Sequence, residues 1–127
     1  MPTSEPLARA LPENVVVLRG ELSSPPEVRL LESGARLASV QLRVRRADAP
    51  ATSVPVTMWD PPTFVEGLSE GDGVCVLGRI ERRFYRRGDG RTGSAVSVVA
   101  STVAPITDRR RLAALVRRVG AVVNGTG

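Results

Sequence analysis

Histidine is missing from the 127 residues of this chain, and so is lysine. Without an imidazole no unperturbed side chain changes charge near neutral pH. There is no Ser-His or Cys-His nucleophilic pair, and no Cys/His cluster to hold zinc. The single cysteine, Cys75, has no partner in the chain for a disulfide, in keeping with a reducing compartment. Its position within Val74-Cys75-Val76 suits a small buried hydrophobe. No apolar run approaches the roughly 20 residues that span a bilayer, and the N-terminus lacks the charged-then-apolar layout of a secretory signal. Aromatic residues are scarce too, at 3%: Trp59, Phe64, Phe84 and Tyr85. These absences point to a cytoplasmic chain that is not an enzyme, needs no metal or cofactor, and does not associate with membranes.

What the chain does have is arginine. Hydrophobic residues make up 42% and charged residues 24%, ordinary for one globular domain of this length, and the net charge of +5 comes from arginine alone. Its distribution says more than its total. Segment 79–91 sets Arg79, Arg82, Arg83, Arg86, Arg87 and Arg91 against Glu81 and Asp89, a surplus of four positive charges. Segment 108–118 sets five arginines (109, 110, 111, 117 and 118) against Asp108, again a surplus of four, so the remainder of the chain is mildly acidic. Two basic patches on an acidic body suit a polyanionic partner touched along a track.

Along the chain, residues 1–13 hold three prolines and no periodicity, and read as a flexible N-terminal arm. Asn14–Leu22 is rich in β-branched residues and reads as a strand, with Gly20 marking a bend or bulge. Ser23-Ser24-Pro25-Pro26 reads as a turn. A strand pair follows, Glu27–Leu31 and Arg36–Arg45. In the second of these Leu37, Val40, Leu42 and Val44 carry the apolar weight, with a slip of phase after Ala38-Ser39. Ala47–Thr52 is a polar loop. Ser53–Trp59 is another strand, in which Pro55 implies an unpaired edge. Pro61–Leu68 is a short helical segment, and Gly71-Asp72-Gly73 a turn. Val74–Tyr85 and Ser94–Val103 are long strands joined as a hairpin across Gly88–Gly93. Finally, Asp108 is an N-cap for a basic amphipathic helix over 107–120, with Leu112, Leu115, Val116 and Val119 at helical spacing and Gly120 closing it. Residues 121–127 read as a flexible tail.

This order describes an all-β, five-stranded OB-fold barrel over 14–106. It has a short helix before the fourth strand and a long hairpin between the fourth and fifth. The spacing Asn14-x-Val16-x-Leu18-x-Gly20-x-Leu22, then Pro26-Glu27-Val28-Arg29, resembles the opening of bacterial single-stranded-DNA-binding proteins. Ser33-Gly34 and Ala38 stand where that family has its first hairpin turn and next strand. Gly71-Asp72-x-Val74-x-Val76-x-Gly78-x-Ile80 is similar to the start of its fourth strand. The resemblance implies a homo-oligomer (tetramer or dimer) that wraps single-stranded DNA in replication, repair or recombination, associated with the nucleoid. Replication or repair proteins would be further partners. Trp59 falls on an aromatic position of the family's third strand, and Phe84 and Tyr85 fall where it has a fourth-strand aromatic. Two other aromatic positions are lost, one as Ser53 and one in the shortened loop after Arg46. The family's acidic C-terminal tip is replaced by Asn124-Gly125-Thr126-Gly127. Together these departures suggest a specialised paralogue, and they leave an alternative: an OB-fold protein-interaction subunit of a replication or repair assembly, with little affinity for DNA of its own.

The nucleic-acid-binding residues expected are Arg79, Arg82, Arg83, Phe84, Tyr85, Arg86, Arg87 and Arg91 on the hairpin, where a basic ribbon tracks phosphates and flat rings stack bases. Trp59 either stacks a base or fills the barrel. Arg43, Arg45 and Arg46 lead into a loop that either touches the backbone of the strand or is plain surface charge. Phe64 is expected in the core. Gly88-x-Gly90-x-x-Gly93 matches the letters of the dinucleotide fingerprint, but a β-type segment follows instead of a helix, so it is a hairpin turn. The C-terminal helix packs its apolar stripe on the barrel or on a neighbouring subunit, or sets its arginines against nucleic acid. It has no aromatic anchor for a membrane surface.

Overall fold

The structure, a computed structural model, describes residues 3–125. Among these the elements run α1 (Glu5–Ala8), β1 (Val16–Leu22), β2 (Glu27–Leu30), β3 (Arg36–Val44), β4 (Thr52–Trp59), α2 (Thr63–Glu66), β5 (Gly73–Arg86), β6 (Thr92–Pro105) and α3 (Arg109–Val123). The strands form one sheet in the order β1-β5-β6-β4-β3-β2, closed on itself by a further β1–β3 pairing.

Six strands make a five-stranded barrel because β1 and β2 are two halves of one strand. Both run antiparallel to β3, with Leu22 opposite Leu42 and Glu27 opposite Ser39, so residues 23–26 stand against only Val40 and Gln41. The turn expected at Ser23–Pro26 is therefore a bulge, and the chain continues along the same neighbour. Pro25 and Pro26 have no N–H to give a ladder. Ser23 ties the bulge down by donating both its N–H and its hydroxyl to the Gln41 carbonyl, each at 3.0 Å. The barrel closes by a parallel contact between β4 and β6 at Val56–Val98 and Thr57–Val99. Pro55 lies just before that contact, where this edge of β4 is unpaired.

Alternation sorts the side chains. Leu22, Leu42, Val56, Val74, Val76, Val98 and Ala100 fill the barrel, with Val40, Val44, Val54 and Met58 packed against them. Ala38 is also buried, so the inward positions of β3 are 38, 40, 42 and 44. The apparent slip of phase arises because Leu37 lies on the outer surface. Closure brings backbones into contact at two glycines. A Cβ on Gly20 would lie 2.4 Å from the Arg43 carbonyl oxygen, and one on Gly78 would lie 2.2 Å from that of Val99. The second point coincides with a bulge at Ser101, between the Leu77–Thr102 and Gly78–Ala100 pairs.

A second cluster sits outside the barrel, where Leu112, Leu115 and Val119 of α3 cover Leu77, Cys75, Ala104 and Val15. Asp108 caps α3, its Oδ1 accepting the Arg111 N–H at 3.1 Å. The helix does not stop at Gly120. It runs on to Val123, and the left-handed residue is Gly125, at φ +73°. Glycine inside a helix costs only about 1 kcal/mol relative to alanine, and in the added turn Val122 is half-buried, on a groove shared with Val15 and Leu77. The tail expected from residue 121 thus begins after one more helical turn, and Thr126 and Gly127 lie outside the described residues. At the other end the arm is not wholly irregular. Glu5–Ala8 forms one exposed helical turn, with Pro6 in its first turn, where proline is tolerated, and a Glu5–Arg9 ion pair at 3.5 Å. Met1 and Pro2 lie outside the described residues.

Candidate nucleic-acid interface

The strands β5 and β6 stay paired out to Arg86 opposite Thr92, but their neighbours leave them early. β1 ends its pairing at Val16 opposite Gly78, and β4 meets β6 only at Val98 and Val99. From Glu81 and Ser97 outward the two strands have only each other. Five residue steps of about 3.3 Å give a free ribbon roughly 17 Å long before its loop. Asn14 clamps the root. Its Nδ2 donates to the Ile80 carbonyl at 2.9 Å, and its Oδ1 accepts the Ile80 N–H at 2.8 Å, so one side chain stands in for the next residue of a neighbouring strand. At the tip the Arg87 N–H donates to the Arg91 carbonyl at 2.7 Å, and the Arg91 N–H to Asp89 Oδ1 at 3.0 Å. Gly90 takes the left-handed conformation at φ +84°. The glycine-rich letters are thus a hairpin loop.

The ribbon has two different faces. Odd positions of β5, Arg79, Arg83 and Tyr85 with Glu81, continue the outer surface of the barrel; even positions, Ile80, Arg82, Phe84 and Arg86, continue the line of its interior. Phe84 is 71% exposed and Tyr85 49%. Phe84 and Tyr85 therefore lie on opposite faces of the ribbon. Gly93 lies opposite Tyr85, and a Cβ there would fall 2.6 Å from the ring, so the bare glycine is the seat of the tyrosine. On the other face Arg82 donates to Ser94 Oγ at 3.0 Å. Arg79 pairs with Glu81 at 2.7 Å. Among the described residues Arg82, Arg83, Arg86, Arg87 and Arg91 have no carboxylate partner, which leaves their charge open to solution.

Trp59, 49% exposed, is on the outer surface opposite Leu37, because Val54, Val56 and Met58 take the inward positions of β4. The corner after it is pinned at Asp60, which sits at φ +45°. Its Oδ1 accepts the Arg36 N–H at 3.0 Å, and its own N–H donates to the Arg36 carbonyl at 2.7 Å. Arg43 and Arg45 line a groove of about 660 Å³ with Arg19, Glu21, Gly73 and Ile106, and Arg43 pairs with Glu21 at 3.5 Å. That groove lies at the Gly73 end of β5. The nine steps from Gly73 to Arg82 amount to roughly 30 Å, so these arginines and the ribbon are separate banks of charge. Arg46 is exposed in the following loop and does not line the groove. Arg19 was missed from the sequence, though the alternation of Val16, Leu18 and Gly20 already turns position 19 outward. Phe64 is not core. It is half-buried on α2, with the Arg111 guanidinium 4.1 Å from its ring centroid. Cys75 packs against the α3 cluster. Burial pushes its thiol pKa up, against a smaller downward pull from Arg19, so at neutral pH it is a protonated packing group.

The pattern described as the Single-strand binding protein family matches residues 13–106. Among characterised proteins, the chain is similar to Single-stranded DNA-binding protein B of Bacillus subtilis (strain 168), with 33% identity over 98 residues, 71% of this chain and 87% of that protein. It is also similar to Single-stranded DNA-binding protein 2 of Listeria innocua serovar 6a, with 32% identity over 98 residues; the aligned part is again 71% of this chain but spans only 62% of the Listeria protein. The family match begins one residue before Asn14, the clamp of the ribbon, and ends at Ile106, one residue after β6 completes the barrel. Barrel and match coincide, and the chain belongs to the single-strand binding protein family.

Proposed function

We propose that this chain binds single-stranded DNA without sequence preference, through the ribbon and Trp59, with residues 14–106 as the binding domain. The observation that carries the reading is the ribbon itself, which holds five arginines without carboxylate partners and exposes one ring on each face. Unpaired bases can lie flat on Tyr85, Phe84 and Trp59 while guanidinium groups follow the phosphates. A stacked base is worth about 1–3 kcal/mol and tolerates any sequence. With so few rings, phosphate contacts supply most of the affinity. OB folds bind oligonucleotides on the face of their second and third strands, between the loop joining strands one and two and the loop joining strands four and five. Here those strands are β3 and β4, Trp59 lies at one end of that face, and the second loop is the ribbon tip. The names of the two relatives support the same reading. Arg43, Arg45 and Arg46 provide a more distant contact with the strand's backbone. The role is in replication, repair or recombination.

Assembly follows from β1. Val16–Gly20 pair with β5 on one side, while pairing with β3 starts only at Glu21, so among the described residues one edge of this stretch is bare. A bare edge is a template for a second chain, which supports a homo-oligomer joined there.

Anisotropy of a labelled oligo-dT, with a duplex for comparison, tests the proposal. The single strand is expected to bind more tightly, and its affinity to fall with salt. Tyr85→Ala weakens binding and leaves the log-log salt slope alone. Arg82→Ala with Arg83→Ala weakens binding and flattens the slope by about 0.7 for each phosphate no longer neutralised. No binding to oligo-dT in dilute buffer would overturn the proposal and leave a protein-interaction subunit.

A further inference from the structure

α3 lies beyond the residues matched by the family, so the family match does not extend to its arginines. Its inward stripe is spoken for by Leu112, Leu115 and Val119. One flank is not. Arg111, Ala114 and Arg118 line a groove of about 530 Å³ against Met58, Pro62, Phe64, Ser101 and Thr102. Further along the helix, Arg118 and Val122 line a second groove of about 490 Å³ against Asn14, Gly78, Arg79 and Ser101. The two share Ser101 and Arg118 and form one track. From Arg111 to Val122 it follows α3 for roughly 17 Å, at about 1.5 Å per residue. One end opens at Met58 and Pro62, the first next to Trp59 in the chain and the second three residues beyond it. The other opens at Asn14 and Arg79, the root of the ribbon.

Among the described residues no carboxylate lines either groove. Arg79 and Arg111 have acid partners, Glu81 and Asp108, at 2.7 and 3.1 Å. The side chain of Arg118, where the grooves join, has no ion pair or hydrogen bond among the described residues. Beside it, Thr102 Oγ1 is buried from solvent without a hydrogen-bond partner. A track walled by Arg79, Arg111 and Arg118 with no carboxylate among the described residues, running from beside Met58 to the root of the arginine ribbon, fits a phosphodiester backbone.

We infer that this track carries the stretch of single strand between Trp59 and the ribbon, with Arg118 as its central phosphate contact. The inference rests on the single-strand-binding reading and extends it to a surface outside the family's domain. It makes α3 part of the binding surface as well as a brace for the barrel.

The test compares Arg118→Ala with Arg117→Ala in the full chain, using labelled oligo-dT across a salt series. Arg117 is also exposed but turned about 100° round the helix, away from the track. Both variants lose one charge. Arg118→Ala is expected to weaken binding severalfold and reduce the log-log salt slope by about 0.7, the value of one neutralised phosphate on a single strand. Arg118→Lys should restore most of the slope, and Arg117→Ala should stay near wild type. Circular dichroism melts check that each variant folds. Equal weakening in Arg118→Ala and Arg117→Ala would mean that only net charge matters, and would overturn the inference. Loss of binding in the Arg82→Ala/Arg83→Ala pair but none in Arg118→Ala would do the same, leaving the ribbon proposal intact. A wild-type chain that ignores oligo-dT overturns both.

Discussion

One substitution at two glycines separates fold from function. At Gly78 the atom that a new Cβ would meet is the Val99 carbonyl oxygen, part of the backbone at a barrel crossing, with the Val99 carbonyl carbon also within 2.9 Å. Backbone there moves only if the barrel opens. Gly78→Ala is therefore expected to cost about 1–3 kcal/mol, the usual range for overpacking. At Gly93 the obstacle is the Tyr85 ring, which can swing aside at the exposed ribbon. Gly93→Ala should change stability by less than about 1 kcal/mol while weakening oligo-dT binding, because the ring loses its seat. Urea unfolding and anisotropy on both variants give the two readouts. If both lose stability alike, the assignment of Gly93 to the ring is wrong.

At the scale of elements, the ribbon depends on its root. A two-stranded hairpin alone is marginal in water, and here two hydrogen bonds from Asn14 anchor it where β1 ends. Asn14→Ala removes both, at a net cost of about 1–3 kcal/mol in stability. The Ile80 amide should lose protection against hydrogen exchange, and the Leu77 amide, deeper in the sheet, should not. Unchanged Ile80 exchange would show that the clamp is dispensable. The two ends of α3 are set differently. Asp108 marks its start in the sequence because capping is local chemistry. Its end is set by what the next turn can bury, so Gly120, a local stop signal, yields to a further turn that half-buries Val122.

For the whole molecule, the bare edge of β1 is the feature that isolation leaves unsatisfied. Light scattering at tens of micromolar is expected to give a mass that is a multiple of one chain; a monomer there would sink the proposed assembly. The same scale shows how the charge is arranged. Arg43 and Arg45, the ribbon, and the flank of α3 form three positive regions on a chain of net charge +5. The inferred track joins the last two, while the groove of Arg43 stands apart near Gly73.

Strands, hairpin and helix were legible in the sequence because alternation, glycine-bearing turns and an Asp cap act over a few residues. The arginine ribbon was legible for the same reason, since two paired strands keep their charges together wherever they go. That Phe84 and Tyr85 diverge was also readable from the period of two. Which of them continues the barrel's exterior was not, because that depends on the pairing of β5 with β6 and on which positions line the core. Tertiary structure alone decided that Ser23–Pro26 is a bulge within one strand, since a bulge is defined by the partner it faces. It likewise turned Trp59 outward, moved Arg43 and Arg45 away from the ribbon, and brought Arg118 beside Arg79. Each of these is a relation between residues far apart in the chain, set by how a closed sheet shares its limited interior.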